Sequence, residues 1–253
     1  MYLLFYFDDL YLNFLIIKIK KVKIFLKIVC LSIIISFYQC NQNKKIKRKS
    51  TEIKKKDELK KKIEKIITAP WDSLNKNNTE SFLLAYGKKN PETKVVIKTK
   101  FGNIKLLLYS DVPVHRANFI FLTKIKYFNT TLIYRVAKNF VIQGGNSDNM
   151  YTQKQRRKYG NYLMQPEFRK HRTHKFGALA AARQWEKNPN KLSSPFEFYM
   201  VHQRNGAHHL DNEHTVFGEV VSGFDTMDKI SKVKVGVDEW PIEDINMTIE
   251  ILE

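Results

Sequence analysis

The chain has 253 residues, 43% of them hydrophobic, with 44 Lys and Arg against 25 Asp and Glu for a formal net charge of +19. That length accommodates one good-sized domain with additional segments. Both cysteines, Cys30 and Cys40, lie near the N-terminus, so the rest of the chain can form no internal disulfide, and no Cys/His cluster has zinc-ligand spacing.

The positive charge is densest over residues 41–65. This run lacks the interleaved aromatic residues or recognition fold of a nucleic-acid-binding segment, so we read it as a solvated tether suited to an anionic membrane surface. Adjacent His208 and His209 would point to opposite faces of a strand and chelate a metal poorly, so no metal site is expected.

In chain order, a short basic stretch at Lys23–Lys27 precedes an apolar run from Ile28 to Tyr38 that ends at Cys40. This is the layout of a secretory signal and is too short for a comfortable membrane span. The terminal cysteine resembles the acylated residue of a bacterial lipoprotein, which makes Cys40 the expected lipidation site. Phe37, Tyr38 and Gln39 are larger than the residues usual before such a cysteine. Residues 1–21 fit no signal layout, because Asp8 and Asp9 stand where positive charge is expected; a start at Val22 gives a conventional basic leader. The alternative is one longer uncleaved anchor from Tyr2 to Tyr38. Either arrangement places the globular part outside the cytoplasmic membrane, attached to it in the periplasm or cell envelope.

The expected segments are a signal or anchor at 1–40, a basic linker at 41–69, a short helical extension at 70–93 and a globular domain at 94–253. Lys54–Ile67 has a weakly amphipathic helical pattern. Asn78 or Thr79 can cap a helix through Tyr86, with Gly87 as its left-handed end and Pro91 preventing its resumption. Alternating strands come next at Lys94–Thr99 and Asn103–Tyr109, joined by a turn around Lys100-Phe101-Gly102. A helix then begins at Pro113 and ends before a strand region at Tyr127-Phe128. Leu132–Gln143, Gly177–Ala182, Phe196–Val201, Thr215–Val220 and Met247–Leu252 are further strands, and Val221–Ile230 is a helix with Met227 and Ile230 inward. Residues 146–176 and 183–195 read as long loops. Many short strands with two helices indicate a mostly β fold, an antiparallel barrel capped at its ends.

The stretch Ile133–Asn146 reads I-Y-R-V-A-K-N-F-V-I-Q-G-G-N. It brings Arg135, Phe140 and Gln143 close together, with no Ser, Cys, Asp or Glu among them. Such a set is poor for covalent or acid–base chemistry. It suits a dry groove that holds a backbone carbonyl and presses an apolar ring. Downstream stand G-A-L-A-A-A at Gly177–Ala182, S-S-P-F-E-F-Y-M-V at Ser193–Val201 and H-L-D-N-E-H-T-V-F-G-E-V at His209–Val220. In this order the blocks resemble the motifs of the cyclophilin-type peptidyl-prolyl isomerases, over roughly residues 95–253. The resemblance implies a closed eight-stranded antiparallel barrel capped by two α-helices, here with an N-terminal helical and basic extension. Its interior would be filled, and the ligand would bind on the outer wall.

The same resemblance implies an activity, cis–trans isomerisation of X-Pro bonds in exported proteins. It would need no cofactor, and the protein would act as a monomer on proline-containing clients. Arg135, Phe140 and Gln143 would be the catalytic residues. Arg135 would hold the substrate carbonyl and donate toward the prolyl nitrogen, while Gln143 orients it. Val141, Tyr199, Leu210 and His214 would shape the proline pocket, Ala182 would offer a backbone contact, and His209 stands where many eukaryotic members carry Trp. Glu197 replaces a common Gln and is expected to pair with Arg135, competing with substrate and lowering activity. The alternative is a low-turnover proline-peptide-binding module on the same scaffold.

Overall fold

The computed structural model describes residues 74–160 and 162–252. The signal segment, Cys40, the basic linker and the helix expected at Lys54–Ile67 lie outside the described residues. The elements are α1 (Thr79–Lys89), β1 (Lys94–Thr99), β2 (Gly102–Leu108), α2 (Pro113–Lys124), β3 (Leu132–Ala137) and β4 (Val141–Asn146), then α3 (Met150–Tyr159), β5 (Ala178–Ala181), β6 (Phe198–Val201), β7 (Val216–Ser222), α4 (Phe224–Ile230) and β8 (Ile245–Ile251).

Alternation along the strands drives the architecture. Ile104, Leu106 and Leu108 of β2 and Ile245, Met247 and Ile249 of β8 are buried at every second position, so each strand presents one apolar row. Antiparallel pairing closes these rows into a barrel in the order β1-β2-β7-β5-β6-β4-β3-β8, with β8 returning to β1. The interior is filled with side chains. Phe119 of α2 packs against Phe128, Phe198 and Phe217 at centroid distances of 4.8, 5.3 and 5.6 Å. On α4, Met227 and Ile230 are fully buried, as the helical spacing predicts.

Outside the barrel, α1 lies on α2. Phe82 and Tyr86 each meet the Phe121 ring edge-on at 5.3 Å. Buried Arg116 of α2 then donates to the carbonyls of Gly87 at 3.0 Å and Asn90 at 2.9 Å, satisfying groups that a helix C-terminus leaves unpaired.

Four expectations change. The segment Leu132–Gln143 is not one strand but the hairpin β3–β4, because Asn139 adopts a left-handed φ of 59° and Phe140 N–H donates back to Ala137 at 3.0 Å. The Gly-Gly pair therefore lies within β4. Tyr127-Phe128 is not a strand; Phe128–Thr130 forms a short 3-10 turn that buries the Phe128 ring in the aromatic cluster. Gly87 does not end α1 in a left-handed turn. The helix continues to Lys89, and Gly87 instead allows close approach, since a Cβ there would sit 2.9 Å from that of Ala117. Finally, the polar stretch after β4 contains a helix, α3. Asn149 caps it by accepting from Tyr151 N–H at 2.8 Å, and its buried Thr152 and Tyr159 dock on the barrel.

Candidate active site

Cross-strand register builds the site on the outer wall. Arg135 of β3 faces Gln143 of β4, Gln143 faces Tyr199 of β6, and Tyr199 faces Ala180 of β5. The row thus runs from the guanidinium to a strand of small residues. A cavity of about 250 Å³ opens along it. Arg135, Gln143, Phe140 and Val141 of the β3–β4 hairpin line it together with Ala182, Tyr199, His209, Leu210 and His214. All the catalytic and substrate-binding residues expected from sequence, except Glu197, therefore line this cavity. Arg183 and Trp185, which read as ordinary loop in the sequence, line the same cavity.

Arg135 is held from two directions. Its Nε donates to Glu239 Oε2 at 2.8 Å and its Nη2 lies 2.7 Å from the same oxygen, while Nη1 donates to Gln143 Oε1 at 3.3 Å. A guanidinium carries five N–H donors, so this arrangement leaves two directed outward from its terminal nitrogens. Glu239 escaped sequence reasoning because it is 104 residues away in the chain. It adopts a φ of 61°, and its carbonyl accepts from Val136 N–H at 2.8 Å, which ties the loop to β3.

Glu197 does not compete for Arg135. Its carboxylate pairs with Arg156 of α3 and accepts from Tyr134 Oη at 3.3 Å. Tyr134 in turn accepts from Gln143 Nε2. The carboxylate therefore supports the back of Gln143 through a tyrosine. Burial first, and then the Glu197 charge, push the Tyr134 hydroxyl well above the ordinary tyrosine range, so it stays a neutral donor. This geometry is possible because Gly145, at φ 98°, carries no Cβ; one there would collide with the Phe196 carbonyl.

The pocket wall is likewise fixed by hydrogen bonds. His214 Nδ1 lies 3.0 Å from the Ala181 carbonyl, an acceptor, so Nδ1 carries the proton. Burial lowers the His214 pKa to about 4, keeping the ring neutral. His214 thus both bonds a carbonyl and lines the cavity. Behind Tyr199, His174 Nδ1 donates to Asp211 at 2.8 Å, and its Nε2 accepts from the Tyr199 hydroxyl at 2.9 Å. His209 stacks on Phe140 with centroids 5.6 Å apart and planes at 21°. Ala182 offers less backbone than expected. Its N–H already donates to Glu197 O at 3.0 Å and its carbonyl accepts from Ser194 N–H at 2.8 Å, which leaves mainly the small side chain facing the cavity. Among the described residues, no group of three His, Cys, Asp or Glu side chains is placed to hold a metal ion.

Comparison with known proteins decides the family. The model of cyclophilin type peptidyl-prolyl cis-trans isomerases (CLD) matches residues 94–250. The chain belongs to this family. A peptidyl-prolyl cis-trans isomerase of Acinetobacter baylyi is 34% identical over 149 residues, covering 56% of this chain and 73% of the relative. One from Arabidopsis thaliana is also 34% identical, over 167 residues, covering 60% of this chain but only 30% of the plant protein. The cyclophilin of Cryptosporidium parvum crystallised in the presence of the dipeptide Ala-Pro superposes with a TM-score of 0.53 at 25% identity, covering 63% of this chain and 99% of that one. In this cyclophilin, then, the shared architecture is the barrel, and α1 and the basic segment lie before the matched region.

Proposed function

We propose that the barrel domain accelerates rotation about X-Pro peptide bonds in exported or envelope polypeptides. The observation that carries this reading is Arg135, fixed by Gln143 and Glu239 at the edge of a cavity walled by Phe140, Leu210 and His214. An X-Pro bond resists rotation by about 18–20 kcal/mol because the nitrogen lone pair is delocalised into the carbonyl. A catalyst needs no nucleophile. It must favour the twisted amide, whose nitrogen regains a localised lone pair, over the planar one. The apolar wall holds the proline ring away from water, and the two outward N–H groups of Arg135 can hold a carbonyl and approach the localised lone pair. A 10⁵-fold acceleration requires about 7 kcal/mol of such differential stabilisation.

The direct test monitors exchange of a proline peptide by NMR with the full chain in mild detergent, beside Arg135→Ala. Wild type should accelerate exchange and the variant should lose about 100-fold or more of kcat/KM. Equal rates for the two proteins would remove Arg135 from the mechanism.

One observation favours the second reading, a proline-binding module with little turnover: Glu239 occupies two donors of Arg135. Under that reading peptides bind but exchange is not accelerated. The placement outside the cytoplasmic membrane rests on the basic-apolar-cysteine layout ending at Cys40. Fractionation and fatty-acid labelling of wild type and Cys40→Ser test it. Labelled, membrane-bound wild type with unlabelled variant is the expected result, and unlabelled wild type would refute lipidation.

A further inference from the structure

Trp185 is not part of the buried core. It lies on the loop between β5 and β6 and is 59% exposed, an unusual position for the largest apolar side chain. Yet it is held firmly. The Arg183 guanidinium lies 4.2 Å from its ring centroid, covering one face, and the His214 ring meets it edge-on at 5.1 Å. The Arg183 side chain is only 4% exposed and is fixed by Glu213, with Nε donating to the backbone carbonyl at 2.7 Å and Nη2 to Oε2 at 2.6 Å. Lys191 holds the other oxygen of Glu213 at 2.6 Å. Asn188 closes the loop on itself, donating to the carbonyls of Gln184 at 3.0 Å and Leu192 at 2.9 Å.

The outcome is a pre-set indole at the cavity, with one face backed by a paired cation, the His214 ring beside it and more than half of its surface exposed. A rigid aromatic with two rotatable bonds loses little entropy when a ligand lands on it. Because three of the five N–H donors of Arg183 are already engaged, by Glu213 and the Gln184 carbonyl, the surface offers apolar contact more than hydrogen-bonded charge recognition.

We propose that Trp185 is a specificity-determining residue, whose open face receives an apolar, foremost aromatic, side chain flanking the proline of the client. This deepens and rests on the reading of the cavity as a proline site. His209, which lines the same cavity, supplies only a small ring stacked on Phe140, so Trp185 is the larger aromatic surface available to a flanking residue.

The test measures kcat/KM by NMR exchange for proline peptides carrying Ala, Leu, Phe, Lys or Glu immediately before or after the proline, using the full chain, Trp185→Ala and Trp185→Phe. Wild type should prefer Phe over Ala by about three- to tenfold at one of the two positions, the scale of one aromatic pair. The ratio should fall toward one in Trp185→Ala and largely survive in Trp185→Phe. A wild type with no aromatic preference, or one whose ratio is unchanged in Trp185→Ala, would overturn the proposal. If no peptide is turned over, the isomerase reading fails by itself, and the same Phe-to-Ala ratio is then read as affinity by peptide titration. A ratio lost in Trp185→Ala still supports the surface, and an equal ratio overturns it.

Discussion

Arg135 is poised by its neighbours rather than by its own rotamer alone. Glu239 grips the guanidinium side-on, and Gln143 touches one terminal nitrogen, leaving the far end free. The ion pair is about one-third exposed on the arginine side, so its worth to stability is within about 1 kcal/mol. Its effect belongs to positioning. Glu239→Gln keeps a hydrogen-bond acceptor but removes the charge, and kcat/KM should fall about three- to tenfold, chiefly through kcat. A fall in KM with kcat unchanged would instead mark Glu239 as a competitor of the substrate carbonyl. Glu197, expected from sequence to be that competitor, points the other way. A strand alternation places Glu197 and Tyr199 on one face, but it cannot say which cation arrives from a distant helix.

At the scale of elements, α3 is the piece that reorganises the wall. Arg156 reaches from it to Glu197 and donates to the Tyr127 hydroxyl at 3.0 Å, and Glu197 accepts from the Tyr134 that supports Gln143. Arg156→Ala should lower stability by about 1–3 kcal/mol, since it leaves a mostly buried carboxylate with a tyrosine donor but no cation. Urea unfolding measures this, and an unchanged midpoint would show that α3 is not fastened through the pair. The strands were legible because alternation is a short-range signal: the apolar rows of β2 and β8 read directly from sequence. The helix was not, because only Thr152 and Tyr159 of its ten residues are buried and no apolar stripe forms. Its one local sign is the Asn149 cap. The two rim residues missed, Arg183 and Trp185, sit on a loop whose course is set by Glu213 and Asn188, and no periodicity reports that.

For the whole molecule, buried neutral histidines couple stability to pH. The His214 pKa falls from the ordinary 6.5 to about 4 through burial, and burial lowers that of His174 as well. An unfolded chain takes up these protons first. The stabilisation is therefore complete above about pH 6.5 and declines as pH falls toward about 4. His214→Gln retains a donor for the Ala181 carbonyl without a titrating ring, so its unfolding free energy should slope less steeply across that window. An equal slope would assign the acid loss to another group.

Closure of the eight strands has a kinetic meaning for whatever visits the wall. A sheet with open edges can capture an extended segment by adding it as a further strand, and such ladders release slowly because many main-chain bonds must break together. Here β8 returns to β1, so no edge of the barrel is offered. A client is left with one ring in a pocket, a few donors and a neighbouring indole. Few contacts mean a fast off-rate and a short residence time. A visitor that leaves quickly frees the site for the next, the behaviour of a catalyst rather than a holdase.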